Sequence, residues 1–294
     1  MLFSVLWSSN QRWSLTGSVD ELGPARPHMS TAYVMVNPEH PLAQIILARA
    51  LLEDVVFDVP AAFVEELVKI HAAALRVFPS ALRPYKQHDP AKIYIQIEGG
   101  ANQLAVPEGA RRLLIGTGAM SEPPESTVRH VRIHDMLPPL PGSQDEQMFQ
   151  SWMQASRTGE TPELEQTHRH WCDSNDAVPA IIELVKGNPK ATTYNITGRR
   201  SWTLEATWQE FDTLYKRTKA GETGRFESEH LEAKGIPSVG VVELTSDDSR
   251  ALRPNLSTTH AYLESKTGEG WRPTTPLRRS LMFVIAKMTD AQSS

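Results

Sequence analysis

The sequence predicts an α/β fold, a largely parallel sheet flanked by helices and joined to a smaller C-terminal α/β lobe. Three observations carry this. Short apolar runs alternate with amphipathic segments of helical length from residue 31 onward. Runs such as Tyr33-Val34-Met35-Val36 and Ile93-Tyr94-Ile95 are apolar at consecutive positions, as in strands covered on both faces. Glycine and proline punctuate the boundaries.

Ala32 to Val36 predicts the first strand, and Pro41 to Glu53 a helix with Leu42, Ile45, Ile46, Ala48 and Leu52 apolar. Val55 to Val59 is a second short strand. Pro60 then opens a long helix with Phe63, Val64, Leu67, Ile70, Ala74 and Leu75 on one stripe. Lys92 to Ile97 is a strand ended by Gly99-Gly100, and Arg112 to Ile115 and Val128 to Ile133 are two more. Leu137-Pro138-Pro139-Leu140-Pro141-Gly142 breaks the pattern before a helix from Glu146 to about Ser156. Asp176 to Lys186 is a helix stopped by Gly187-Asn188-Pro189. Thr192 to Ile196 is a strand, and Leu204 to Lys219 an amphipathic helix through Trp208, Phe211, Leu214 and Tyr215. Gly221 to Lys234 is polar, Val239 to Leu244 reads as a strand, and Thr258–Thr267 and Leu277–Met288 as helices. The expected organisation is a flexible extension over 1–30, a Rossmann-like part over 31–140, and a C-terminal lobe over 141–294 partly interleaved with the sheet.

The chain has 294 residues, 40% apolar and 22% charged, the proportions of an ordinary globular protein. A net charge of −5 without a basic run offers no footprint for nucleic acid. No apolar run approaches the ~20 residues of a membrane span. A soluble, cytoplasmic protein is therefore expected. Residues 1–19 hold one arginine and no acidic residue, so an organellar, mitochondrial address through residues 1–30 is the alternative.

Cys172 is the sole cysteine, which excludes an internal disulfide and a multi-thiolate metal site. Among ten histidines, His168 and His170 precede Asp173 and Asp176, and His130 and His134 precede Asp135. Two histidines on one face fall short of the three or four converging ligands a metal needs, so no metal is expected. A Gly-x-Ser-x-Gly elbow and a Gly-x-x-x-x-Gly-Lys loop are both absent.

The most informative stretch is His170-Trp171-Cys172-Asp173-Ser174-Asn175-Asp176-Ala177, followed by Thr193-Tyr194-Asn195-Ile196-Thr197-Gly198 and Ser201-Trp202-Thr203-Leu204. Val131-Arg132-Ile133-His134-Asp135-Met136-Leu137-Pro138-Pro139 precedes it. Arg253-Pro254-Asn255, Gly270-Trp271-Arg272-Pro273 and Pro276-Leu277 follow. In this order the motifs resemble the second half of the extended short-chain dehydrogenase/reductase family, which includes the NAD-dependent nucleotide-sugar epimerases and dehydratases. The resemblance covers roughly Val128 to Met288. It implies a Rossmann fold, NAD(P) as cofactor, and a substrate pocket capped by the Trp171 segment with Asn195 nearby. It also implies that Arg253 meets the diphosphate of a sugar nucleotide, for which a guanidinium offers a bidentate fork.

The first half departs from the family. A dinucleotide site needs a glycine-rich turn after the first strand, so that backbone amides approach the pyrophosphate. Here that place holds Asn37-Pro38-Glu39-His40, with no glycine, two prolines at 38 and 41 that lack an N–H, and a carboxylate. Gly116-x-Gly118 follows a later strand and fits the family's first turn less well. The family's catalytic Tyr-x-x-x-Lys helix belongs between Gly118 and Val128, yet that segment is short and holds neither residue type. The Tyr215–Lys219 and Tyr262–Lys266 strings fall on C-terminal helices instead.

The expectation is a degenerate member of the family, without redox catalysis or a resident cofactor, serving as a binding or structural subunit in a protein assembly or homo-oligomer. An active nucleotide-sugar epimerase, dehydratase or reductase with a divergent NAD(P) site and a nucleotide or nucleotide-sugar ligand is the first alternative. The second is other acid–base chemistry in the reused cleft, with Asp135, His134, His170 or Cys172 as the groups.

Overall fold

A computed structural model describes residues 33–53, 55–86, 89, 91–101, 103–118, 128–187, 189–227 and 253–293. The expected N-terminal extension, the strand at 239–244 and the second half of the polar segment ending at Lys234 lie outside the described residues.

The elements in chain order are β1 (Tyr33–Met35), α1 (Pro41–Ala50), β2 (Phe57–Val59), α2 (Val64–Ile70), α3 (Ala72–Leu75), β3 (Leu82–Pro84), β4 (Ile93–Ile97), β5 (Arg111–Thr117) and β6 (Val128–Ile133). They continue with β7 (Met136–Leu137), α4 (Gln144–Thr158), β8 (His168–Arg169), β9 (Cys172–Asp173), α5 (Ser174–Lys186), β10 (Thr193–Ile196), β11 (Trp202–Thr203), α6 (Leu204–Thr223), α7 (Ser257–Thr267) and α8 (Leu277–Ser293).

Among the described residues, seven strands form one sheet in the order β10-β6-β5-β4-β1-β2-β3. Every neighbouring pair in it is parallel. The chain winds outward from β1 to β3, then returns to β4 on the other side of β1. That reversal is the topological switch point of a doubly wound Rossmann-like sheet, and ligands of such sheets bind outside the strand carboxyl ends there.

The face towards α1 and α5 carries the main core. Leu42, Ile46 and Leu47 of α1 and Ile181, Ile182 and Val185 of α5 are buried with Met35, Phe57, Ile95, Ile115, Val131 and Ile196 of the strands. Burying each such side chain contributes about 1.5–3 kcal/mol. The opposite face over β1 and β4 is covered differently. Val34, Val36 and Tyr94 pack with Ala110, Leu104 and Val106, which lie in the connection from β4 to β5. Among its described residues, 98–110 contain turns and no helix, and Gly99 and Gly109 adopt positive φ there.

A second core joins α4, α6 and α8. Phe149 and Trp152 of α4 meet Phe211 of α6 edge-on or tilted, with Trp171 and Trp208 at the margin. Leu281, Val284 and Ile285 of α8 close the cluster. Side chains cap α4, α5 and α6: Ser143 Oγ accepts from Glu146 N–H, Asp173 Oδ1 from Asn175 N–H, and Thr203 Oγ1 from Ala206 N–H. The short ladders β7–β9 and β11–β8 tie this part to the sheet's carboxyl edge. Among the described residues no helix is long and apolar enough to cross a membrane.

Two elements differ from expectation. The helix expected from Pro60 to Leu75 is a 3-10 turn followed by two helices separated at His71, whose φ of −100° and ψ of 21° leave the helical region. The break shifts the apolar stripe, so Ile70 is 55% exposed although Leu67 and Ala74 are buried. Strand β3 was not anticipated, since Arg83 and Pro84 are exposed and only Leu82 is buried. It forms the sheet edge, where a proline is tolerated.

Candidate functional site

At the switch point the chain passes through the turn after β1. Asn37 is fully buried. Its Nδ2 donates to the Ile97 carbonyl at 2.7 Å, and its Oδ1 accepts from the Ile97 N–H at 2.8 Å. The amide thus imitates one more rung of the β1–β4 pairing and joins the two carboxyl ends. Gly100 lies against it: a Cβ on Gly100 would stand 2.1 Å from Asn37 Nδ2.

The start of α1 is equally occupied. His40 Nδ1 accepts from Leu42 N–H at 3.1 Å, and His40 N–H itself donates to the Asn37 carbonyl. Burial holds the His40 pKa below its ordinary value, against the opposing charge of Glu39. Gln44 Nε2 donates to the Pro38 carbonyl, and Gln103 Nε2 to the Glu39 carboxylate. A pyrophosphate needs free amides at a helix N-terminus and close backbone approach. Here Pro38 and Pro41 have no N–H, the amides of His40 and Leu42 are taken, and the turn contains no glycine. The residues at this turn do not fit a dinucleotide.

The connection from β5 to β6 consists of residues 118–127. It holds no tyrosine and no lysine. Gly116 lies within β5, and Gly118 follows it at φ +84°. Residues 119–127 are outside the described set.

A cavity of about 230 Å³ opens at this edge, lined among others by Thr117, Gly118, Asp135, Ser143, Asp145 and Arg169. Asp135 has φ of 49°, a left-handed conformation that aspartate tolerates better than most residues. It turns the chain from β6 into β7. Its carboxylate accepts from His170 N–H at 2.6 Å and pairs with Arg169, and Arg169 also reaches Asp145 at 3.3 Å. Burial pushes the Asp145 carboxyl up, Arg169 opposes this, and the Asp135 charge adds to the rise. The Arg169 guanidinium remains a fixed cation between the two carboxylates, and of the two it is Asp145 whose pKa burial raises above the ordinary value.

The other candidate residues are distributed around this centre. His134 hydrogen-bonds Asn195 Oδ1 at 3.1 Å, and Asn195 Nδ2 donates to the Asn255 carbonyl. His170 is buried, which lowers its pKa, as do Arg253, His168 and His134, while Asp135 opposes them. Cys172 is 1% exposed, and burial with the neighbouring Asp176, Asp173 and Asp135 pushes its thiol far up. Such a thiol packs and does not attack. Trp171 is buried and donates from Nε1 to Thr207 Oγ1 at 3.0 Å. Arg253 is exposed, donates to the Arg199 carbonyl, and lines a small pocket with His260 and Trp271. The three residues expected in a substrate pocket, Trp171, Asn195 and Arg253, therefore share no single described cavity. Among the described residues no three His, Cys, Asp or Glu side chains converge to hold a metal.

Asp145 and Arg169 were not singled out in the sequence. Their signal is tertiary: Asp145 sits in the first turn of α4 and Arg169 on β8, and only the Asp135 turn brings them together.

No protein-family model matches the chain, and no curated protein matches it significantly. Solved structures do. The chain is similar to Gre2 from Candida albicans, with 10% identity and a TM-score of 0.53 over 89% of this chain and 99% of that one. It is similar to a thiolation-reductase di-domain from an archaeal non-ribosomal peptide synthetase, with 8% identity and a TM-score of 0.52 over 89% and 76%. A reductase domain of an aureusimine biosynthetic cluster gives 7% identity and a TM-score of 0.51 over 87% and 91%. At such identities the likeness concerns the fold alone. That fold is the α/β Rossmann-like arrangement described above, a parallel sheet flanked by helices.

Proposed function

We propose that this chain is a short-chain-dehydrogenase-type protein that has lost NAD(P)-dependent redox catalysis and serves as a binding or structural subunit. The observation that carries the reading is the Asn37 side chain bonded to both polar groups of Ile97 at the switch point. Its place in a turn without glycine argues against a pyrophosphate there, and the β5–β6 connection supplies no Tyr–Lys pair. A homo-oligomer or larger assembly fits such a role, in the cytoplasm or, through residues 1–30, in mitochondria. The test is turnover of a nucleotide-sugar panel with both oxidised and reduced NAD and NADP. Absence of turnover is expected, and epimerase, dehydratase or reductase activity on any member would overturn the reading in favour of a divergent active enzyme.

One observation favours a second reading, acid–base chemistry without a nicotinamide. The Asp135–Arg169–Asp145 array lines a cavity at the strand ends, with Asp145 held towards its protonated form. This reading requires an activity that Asp135→Asn and Asp145→Asn each abolish. A turnover that survives both substitutions excludes it.

A further inference from the structure

A groove of about 490 Å³ runs beside the loop Gly198–Trp202, and none of its lining residues lines the cavity at Asp135. Local structure places its walls firmly. Trp202 opens β11, registered against Arg169 of β8, and Thr203 caps α6. Gly198 passes so close to the chain at Trp171 that a Cβ would stand 2.1 Å from the Trp171 carbonyl oxygen. The facing wall is the segment Pro273–Arg278 leading into α8.

The charges in this groove are unequally engaged. Asp176 accepts from Thr274 N–H at 3.1 Å, Thr275 N–H at 2.9 Å and the Thr274 hydroxyl. Asp173 accepts from Asn175 and from the Ser280 hydroxyl. Glu210 pairs with Arg278 at 3.5 Å. Every carboxylate of the groove thus has donors within the protein. Arg199 and Arg200 have no carboxylate partner among the described residues, and both are exposed. The Arg200 guanidinium lies over the Trp202 ring at 4.0 Å from its centroid. Stacking fixes the orientation of the cation while leaving its N–H groups free to donate. Trp202, Pro276 and Leu277 add apolar surface next to these two cations.

We infer that this groove binds a small amphipathic anion, a carboxylate or phosphate carried on a flat apolar body. Arg199 and Arg200 meet the charge, and Trp202, Pro276 and Leu277 meet the apolar part. The volume suits a ligand of that size, and a few fixed polar groups on an apolar wall are what such sites present. On a chain of net charge −5, two guanidinium groups without a carboxylate partner among the described residues mark a local attraction for anions.

The full chain is titrated by calorimetry with 1-naphthoate, 1-naphthyl phosphate, inorganic phosphate and uncharged 1-naphthol. Saturable submillimolar binding of at least one naphthyl acid is expected, with phosphate alone and 1-naphthol each at least about tenfold weaker. The tighter of the two acids identifies the head group. The double variant Arg199→Gln/Arg200→Gln alters two exposed residues and is expected to keep the parental Tm while weakening the acid by at least about tenfold. Absence of saturation by both acids, equal binding of 1-naphthol, or unchanged binding in the double variant would each overturn the inference. Binding of NAD(P) in a parallel titration bears on the crevice at Asn37 and not on this groove.

Discussion

Asn37 holds Ile97 by both of its backbone polar groups, donating to the carbonyl at 2.7 Å and accepting from the N–H at 2.8 Å. The two residues stand at the carboxyl ends of adjacent central strands, where a doubly wound sheet ordinarily opens to its ligand. A side chain that completes the β-ladder in this way stabilises the pairing of the two strand ends.

Replacing this side chain orphans the buried Ile97 N–H, at about 1–3 kcal/mol, and leaves the Ile97 carbonyl with the longer bond from Gly100 N–H at 3.4 Å. Asn37→Ala is therefore expected to lower unfolding stability by about 1–3 kcal/mol, read as a drop in urea midpoint at constant m. An unchanged midpoint would mean that the clamp contributes nothing. Gly100→Ala forces a Cβ to 2.1 Å from Asn37 Nδ2 and is expected to destabilise as well. Its cost should shrink in the Asn37→Ala background, because the obstructing atom is gone. A double-mutant cycle measures that coupling, and strict additivity would contradict the contact.

Arg169 offsets two carboxylates in a partly exposed setting, with side chains 32%, 15% and 24% exposed for Arg169, Asp135 and Asp145. Arg169→Gln is expected to cost about 1–2 kcal/mol at neutral pH, below the range for fully buried pairs. Without the cation, Asp145 and Asp135 repel, and the folded state gains preference for a protonated Asp145. Because its folded pKa is raised above the unfolded value of 3.8, the loss should diminish as pH falls. Stability curves of the two proteins compared at pH 8 and pH 5 test this, and a deficit independent of pH would count against the array.

Four histidines, His40, His71, His130 and His170, have pKa values lowered chiefly by burial. For each, the unfolded chain binds a proton more readily, so stability is fully present above the ordinary value of 6.5 and is lost as pH falls below it towards the folded values. Thermal melts should show Tm falling between pH 7.5 and 5.5, before most carboxylates titrate. A flat Tm over that interval would show that these rings are free to protonate in the folded state.

Much of the fold was legible because the central strands are apolar at successive positions and so announce burial on both faces. Strand β3 escaped notice because Arg83 and Pro84 suit only an exposed edge. The interruption at His71 was hidden because propensity runs unbroken through Ala72-Ala73-Ala74, while the His71 ring reaches away from its own helix to Gln44. At the crevice, the missing glycines and the two prolines could be read directly. The partner of Asn37 could not, since Ile97 lies sixty positions along the chain. Asp145 was equally silent: its environment comes from the loop after β6 and from β8, and no local spacing links the three.

The central claim is that the turn after β1 is closed to a dinucleotide. Calorimetric titration of the full chain with NAD⁺, NADH, NADP⁺ and NADPH tests it most directly. No saturable binding below the millimolar range is predicted for any of the four, whereas a low-micromolar Kd for one of them would contradict the account.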